Sequence, residues 1–128
     1  MRYLAVALLL LFFAGCRLHP KDCSRFRDGT FQSTLRGHPY FIERKGAVQK
    51  EYVLGTPDSA VMFFNVEWLN DYTYTLKPTP ETLTKFPKEP KNAMMTIEII
   101  RTTPKSYVER TTTNFSDRSE VEEFTKVN

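Results

Sequence analysis

Residues 41–52, "FIERKGAVQKEY", decide how this chain folds. Two alternating runs flank Gly46-Ala47, and glycine at the first of two central positions suits a type II′ turn, whose twist matches that of the strands it joins. A two-residue loop fixes the register: Lys45 pairs with Val48, Arg44 with Gln49 and Ile42 with Glu51. Successive strand side chains point to opposite faces, so Arg44, Gln49 and Glu51 share a face with Tyr40, Ile42 and Val53. On an outer face, these polar residues form a cross-strand charge ladder worth about a few tenths of a kcal/mol. On an inner face, Arg44 and Glu51 form a diagonal ion pair bridged by Gln49, costly to bury unless every group is satisfied. That cluster would line a pocket and grip a polar head group. The pattern alone favours the ladder.

The next hairpin lies in "FFNVEWLNDYTYTL", residues 63–76. Met62, Phe64, Val66 and Trp68 share one face by period two, and Tyr72, Tyr74 and Leu76 share another. For the two faces to coincide the loop must hold an odd number of residues, which predicts Leu69-Asn70-Asp71. A two-residue Asn70-Asp71 turn would instead set Trp68 opposite Thr73. The aromatic face of Phe64, Trp68, Tyr72 and Tyr74 reads first as core and second as a ligand platform.

Working outward, strands are predicted at 30–36, 40–45, 48–54, 61–69, 72–77, 94–102, 107–113 and 120–127. Between them stand turn residues: "RGHP", "KG", "LGTPDS", "ND", "TTPKS" and "NFSD". Threonines and aromatics dominate the runs, as strands prefer. The fold class is all-β: an antiparallel meander of about eight strands, either a small up-and-down (lipocalin-like) barrel or an open curved sheet. The one long connection, 78–92, carries a helix start, with Thr79 as N-cap, Pro80 at the first position and Glu81 in the first turn; Pro87 and Pro90 stop it. It reads as a plain crossover or as a lid over one end of the sheet.

Upstream of the strands the chain changes character. Arg2 precedes an apolar run from Leu4 to Ala14, long enough for a signal h-region and too short for a bilayer span, which needs about 20 residues. Phe13-Ala14-Gly15-Cys16 matches a bacterial lipobox, with Phe where Leu is usual. Residues 1–15 are therefore read as a lipoprotein signal peptide, Cys16 as the lipid attachment site, 16–25 as anchor and tether, and 26–128 as one β domain. An ordinary secretory signal with a chance cysteine is the competing reading. With Cys16 in a thioether, the sequence holds no second thiol for an intramolecular disulfide to Cys23, which reads as a small buried hydrophobe near the first strand or as a reactive or intermolecular thiol.

Cutting before Cys16 leaves 113 of the 128 residues, with 17 basic against 15 acidic side chains and the signs interspersed. There is no basic stripe, so no electrostatic footprint for nucleic acid. His19 and His38 have no companion at ligand spacing, and no metal or other cofactor is expected. Nucleophile, zinc-protease, P-loop and dinucleotide fingerprints are missing. Glu43, Glu51, Glu67, Glu98 and Glu109 fall on strands, mostly on the expected solvent face. The candidate pocket or polar cluster is Arg44, Gln49, Glu51, Trp68 and Tyr74, with no catalytic residues assigned.

The chain resembles a family of small lipoproteins from Bacteroidota. The residues that carry the resemblance are Asp22-Cys23 with Phe26, Gly29 and Phe31; Arg44 with Gln49 and Glu51; Trp68, Asn70, Asp71 and Tyr74; and Thr125-Lys126. It implies a place and an architecture, not an activity. Members can carry a DNA topoisomerase IV label, but an exported chain of this size without a nucleotide motif cannot run that reaction. Relatives often have a second cysteine in the N-D-x-x-Y hairpin. Tyr72 or a neighbour stands there in this chain, so the disulfide that the resemblance would imply for Cys23 lacks its second half.

The function expected is that of a lipid-anchored cell-envelope protein, outer-membrane and monomeric. Its non-enzymatic β domain would bind a small amphiphile or an envelope component. The alternative is an assembly protein using a sheet face or an unpaired edge strand, for which "MMTIEII", residues 94–100, is the best candidate.

Overall fold

The computed structural model describes residues 23–35, 37–57 and 60–128. The expected signal peptide, Cys16, His19 and the tether as far as residue 22 lie outside them. Eight antiparallel strands follow in order: β1 (Gly29–Leu35), β2 (His38–Lys45), β3 (Val48–Val53), β4 (Met62–Trp68), β5 (Thr73–Pro78), β6 (Met95–Thr102), β7 (Ser106–Thr113) and β8 (Ser116–Lys126). Each pairs with its neighbours in sequence, and β8 pairs with β1, closing a barrel. Closure decides between the two architectures expected, and it leaves no edge. β6 is hydrogen-bonded to β5 on one side and β7 on the other, so residues 94–100 are not the exposed edge that their apolar composition suggested. They are apolar because alternate residues face the core, and because a bulge between Ile99 and Arg101 inserts Ile100 and breaks the alternation.

The β2–β3 hairpin has the predicted register, with Lys45 opposite Val48, Arg44 opposite Gln49 and Ile42 opposite Glu51. Gly46 takes φ +58°, the left-handed value its turn position needs. In the β4–β5 hairpin the parity holds but the loop is longer: Trp68 lies opposite Tyr74, not Tyr72. The reason is local. The Asn70 side chain accepts from the Tyr72 N–H (3.0 Å), and both Leu69 and Asn70 N–H groups turn to the Thr73 carbonyl. An Asx turn inside the loop thus consumes two residues that would otherwise extend the ladder.

The helix α1 (Pro80–Lys85) starts as expected, Thr79 Oγ1 accepting from the Thr82 N–H. It does more than cross over. Thr82 Oγ1 accepts from the Phe63 N–H (2.8 Å) and donates to the Phe63 carbonyl (3.0 Å), while the Thr79 N–H donates to the same carbonyl. Where β5 ends at Pro78, a threonine side chain thereby supplies one more rung to β4.

Topology sorts the two ends. The β2–β3, β4–β5 and β6–β7 turns lie at one end with Gly29. There a 3₁₀ turn (Ser24–Phe26) plugs the barrel. Phe26, Phe31, Ile42, Ile99, Tyr107 and Phe124 form the core there, with Cys23 wholly buried among them, as a small hydrophobe should be. Phe64, Val66, Tyr74, Leu76 and Ile97 form a second cluster toward the other end.

Candidate functional site

The hairpin parity that puts Arg44, Gln49 and Glu51 on one face left open which side of the sheet that face takes. The structure turns it inward: all three are buried, Arg44 at 2 % exposure and Gln49 at 1 %. The outer charge ladder is therefore not what forms. On the outer face stand Glu43 and Lys50 instead, paired across the hairpin. The polar face goes in because its companions, Ile42 and Tyr40, are apolar and because the closed end supplies acceptors for the guanidinium.

Arg44 is satisfied on every side. Nε donates to the Arg27 carbonyl (2.7 Å), Nη2 to the Phe26 carbonyl (2.6 Å), and Nη1 to Gln49 Oε1 (2.7 Å) and the Tyr74 hydroxyl (2.9 Å). Its guanidinium carbon lies 4.6 Å from the Tyr74 ring centroid, 4.9 Å from that of Phe31 and 5.8 Å from that of Trp68. Aromatic faces favour a cation most when water is excluded. Burial opposes the charge, yet Tyr74, Tyr107 and Glu109 hold the guanidinium pKa above its ordinary value. Trp68 is half-buried, its centroid 4.5 Å from that of Tyr74, with the Arg27 guanidinium 4.6 Å from its ring. Sequence reasoning had grouped Arg44, Gln49, Glu51, Trp68 and Tyr74, and the fold brings all five together.

Two relays lead from Arg44 toward the other end of the barrel. Gln49 Nε2 donates to Glu51 Oε1 (2.8 Å), so Gln49 bridges Arg44 and Glu51, which do not touch directly. The Tyr74 hydroxyl donates to Glu109 Oε2 (3.1 Å). Glu109 had been placed among the solvent-facing carboxylates, and here the structure corrects the sequence reading: it is 6 % exposed and faces inward from β7. The reason lies in β7 itself, where Ser106, Tyr107, Val108 and Glu109 are all buried, so a charged residue there cannot be assigned to an outer face by its type. A signal was present all the same. Tyr107 and Glu109 are two apart, and Glu122 stands two before Phe124, so each carboxylate shares a face with an aromatic ring that belongs in the core.

Above the relays lies a cavity of about 130 Å³ lined by Tyr40, Glu51, Leu76, Met95, Glu109 and Glu122, with Glu120 at its border. It shares Glu51 and Met95 with an apolar recess of about 200 Å³ that Met62, Phe64, Ala93 and Phe115 also line, beneath Thr82 and Glu89 of the long connection. The two spaces thus adjoin at Glu51 and Met95, one lined by carboxylates and the other mostly by apolar side chains. Burial pushes the Glu109 carboxyl up to about 8; Arg44 pulls the other way, and Glu51 adds to the rise. Burial also raises Glu51, against hydrogen bonds from Tyr40 and Gln49, and raises Glu122. Tyr40 is held strongly in its neutral form, by burial first and by Glu51 next. Together these spaces offer hydrogen-bond acceptors and an apolar wall, with the Arg44 guanidinium reached through the two relays.

Comparison of the chain with protein-family models, curated proteins and solved structures gives no match. The geometry of this site is the ground on which a function rests.

Proposed function

We propose that this chain is a lipid-anchored cell-envelope protein, tethered through Cys16, whose barrel is a non-enzymatic binding domain for a small amphiphile. The observation that carries this reading is the graded chamber, polar at Glu51 and Glu109 and apolar at Met62, Phe64 and Phe115. Eight-stranded barrels are just wide enough to be filled by side chains or to hold one small ligand. In this barrel the plugged end is filled, and space remains at the other. The interior carboxylates are costly to bury, and a core designed only for stability would be better served by apolar residues of the same volume. Proximity of the polar groups to an apolar mouth suits a molecule with a head and a tail.

Tethering is tested by intact mass: the protein extracted from membranes should carry a lipid-sized addition at Cys16, and Cys16→Ala should remove it. Binding is tested by native mass spectrometry of residues 17–128, which contain the whole barrel, purified without detergent from an exported form. A reproducible non-covalent addition that leaves on denaturation is expected. A clean chain that also fails to take up added short amphiphiles would refute the binding reading.

A further inference from the structure

Among the described residues the interior holds more acid than base, Glu51 and Glu109 against Arg44, and the guanidinium does not touch a carboxylate directly. All four hydrogen bonds of the Arg44 guanidinium go to two carbonyls, an amide oxygen and a phenol, none to a carboxylate. Glu51 and Glu109 reach it only through Gln49 and Tyr74. Of the Glu109 oxygens, Oε2 is the one that accepts a hydrogen bond. The Tyr107 hydroxyl, wholly buried beside Glu109 and Arg44, completes no hydrogen bond of good geometry. Glu122 and Glu120 line the same cavity from β8, and Arg118 lines an adjoining hollow that shares Met95, Thr111 and Glu120 with it. Like charges around one cavity of low dielectric stay ionised together only when a cation joins them; otherwise they take up protons.

Resting on the amphiphile reading above, we infer that the ligand is a protonated amine, its ammonium among Glu51, Glu109 and Glu122 and its short apolar tail against Met62, Phe64 and Phe115. The inner cavity of about 130 Å³ equals the liquid volume of about four waters, enough for an ammonium and a few methylenes. The recess of about 200 Å³ takes the rest of a chain of about six carbons. An ammonium donates up to three hydrogen bonds, which matches carboxylates converging from β3, β7 and β8. On binding, the ammonium keeps its protons, and a carboxyl that was protonated in the empty site releases one to solvent. Affinity therefore rises with pH toward about 8, the value to which Glu109 is pushed. The charged and titratable groups facing Glu109 are Arg44 and Tyr40 from β2, Glu51 from β3, Tyr74 from β5, Tyr107 from β7, and Glu120 and Glu122 from β8.

The experiment is isothermal titration of residues 17–128 with hexylamine, 1-hexanol and hexanoate at pH 7. Hexylamine should bind at least tenfold more tightly than hexanol, with hexanoate weakest, and its enthalpy should vary with the ionisation enthalpy of the buffer. In Glu51→Gln/Glu109→Gln, which keeps the side-chain shapes, the preference for hexylamine over hexanol should vanish while hexanol still binds. Equal binding of amine and alcohol, or stronger binding of hexanoate, would overturn the amine and leave the amphiphile standing. No binding of any of the three would overturn both. A double variant that no longer folds leaves the three-ligand comparison on the parent chain to decide.

Discussion

Arg44 shows how one residue can organise a small barrel. It bonds the 3₁₀ plug to β2, β3 and β5 at once, through two carbonyls, Gln49 and Tyr74. Replacing it with methionine leaves those acceptors buried and strands Glu109 and Glu51 without the cation, so Arg44→Met should cost about 3–5 kcal/mol in urea unfolding. Arg44→Lys should recover little, because an ammonium cannot span the same fork of acceptors. A loss under about 1 kcal/mol for the methionine variant would show that the polar interior contributes little to folding. Glu109 makes the complementary prediction. Its carboxyl is raised from the ordinary 4.5 to about 8, so between those values the folded chain binds more protons than the unfolded one. Stability therefore falls as pH rises through that window. Glu109→Gln should flatten the decline and raise Tm most at pH 8 and above, with Glu51, also raised, keeping part of the slope. A Tm profile that is the same in parent and variant would contradict the burial of this charge. The residue types at these positions were plain in the sequence. Their side of the sheet was not, because period-two alternation groups residues without naming the inner face.

Among the elements, the hairpins were the most legible. The Gly46-Ala47 turn set a register that the structure reproduces pair for pair, since turn geometry and strand alternation are both local. The β4–β5 loop was read with the right parity and two residues too few, because the Asn70 side chain competes for the backbone of Tyr72. The role of α1 was not legible at all. Its N-cap is a local signal, but the rung that Thr82 adds to β4 joins residues 19 apart. Thr82→Val keeps the volume and removes the hydroxyl, leaving the N–H and carbonyl of Phe63 short of those bonds. It should cost about 1–3 kcal/mol and should speed hydrogen exchange at Phe63 more than at Phe31. Unchanged protection at Phe63 would mean that the threonine rung is incidental.

At the scale of the whole molecule, closure between β1 and β8 is the decisive event. Gly29 sits at this seam with φ +142°, and a Cβ there would stand 2.8 Å from the Asn128 carbonyl oxygen and 2.9 Å from the Lys126 side chain. Gly29→Ala should therefore cost about 1–3 kcal/mol and loosen β1 and β8 first, seen as faster amide exchange in those two strands than in β4. Uniform exchange with unaltered stability would show that the seam tolerates the extra carbon. By itself the sequence determined the all-β class, the eight strands in order, the register of the β2–β3 hairpin and the shared face of Arg44, Gln49 and Glu51. Each follows from turn chemistry and alternation within a few dozen residues. Tertiary structure alone decided that the sheet closes, that residues 94–100 are paired on both sides, and that Glu109 and Glu122 join Glu51 around one cavity. Those outcomes depend on β8 returning to β1 and on which side of the sheet each face takes, and period-two alternation names neither by itself.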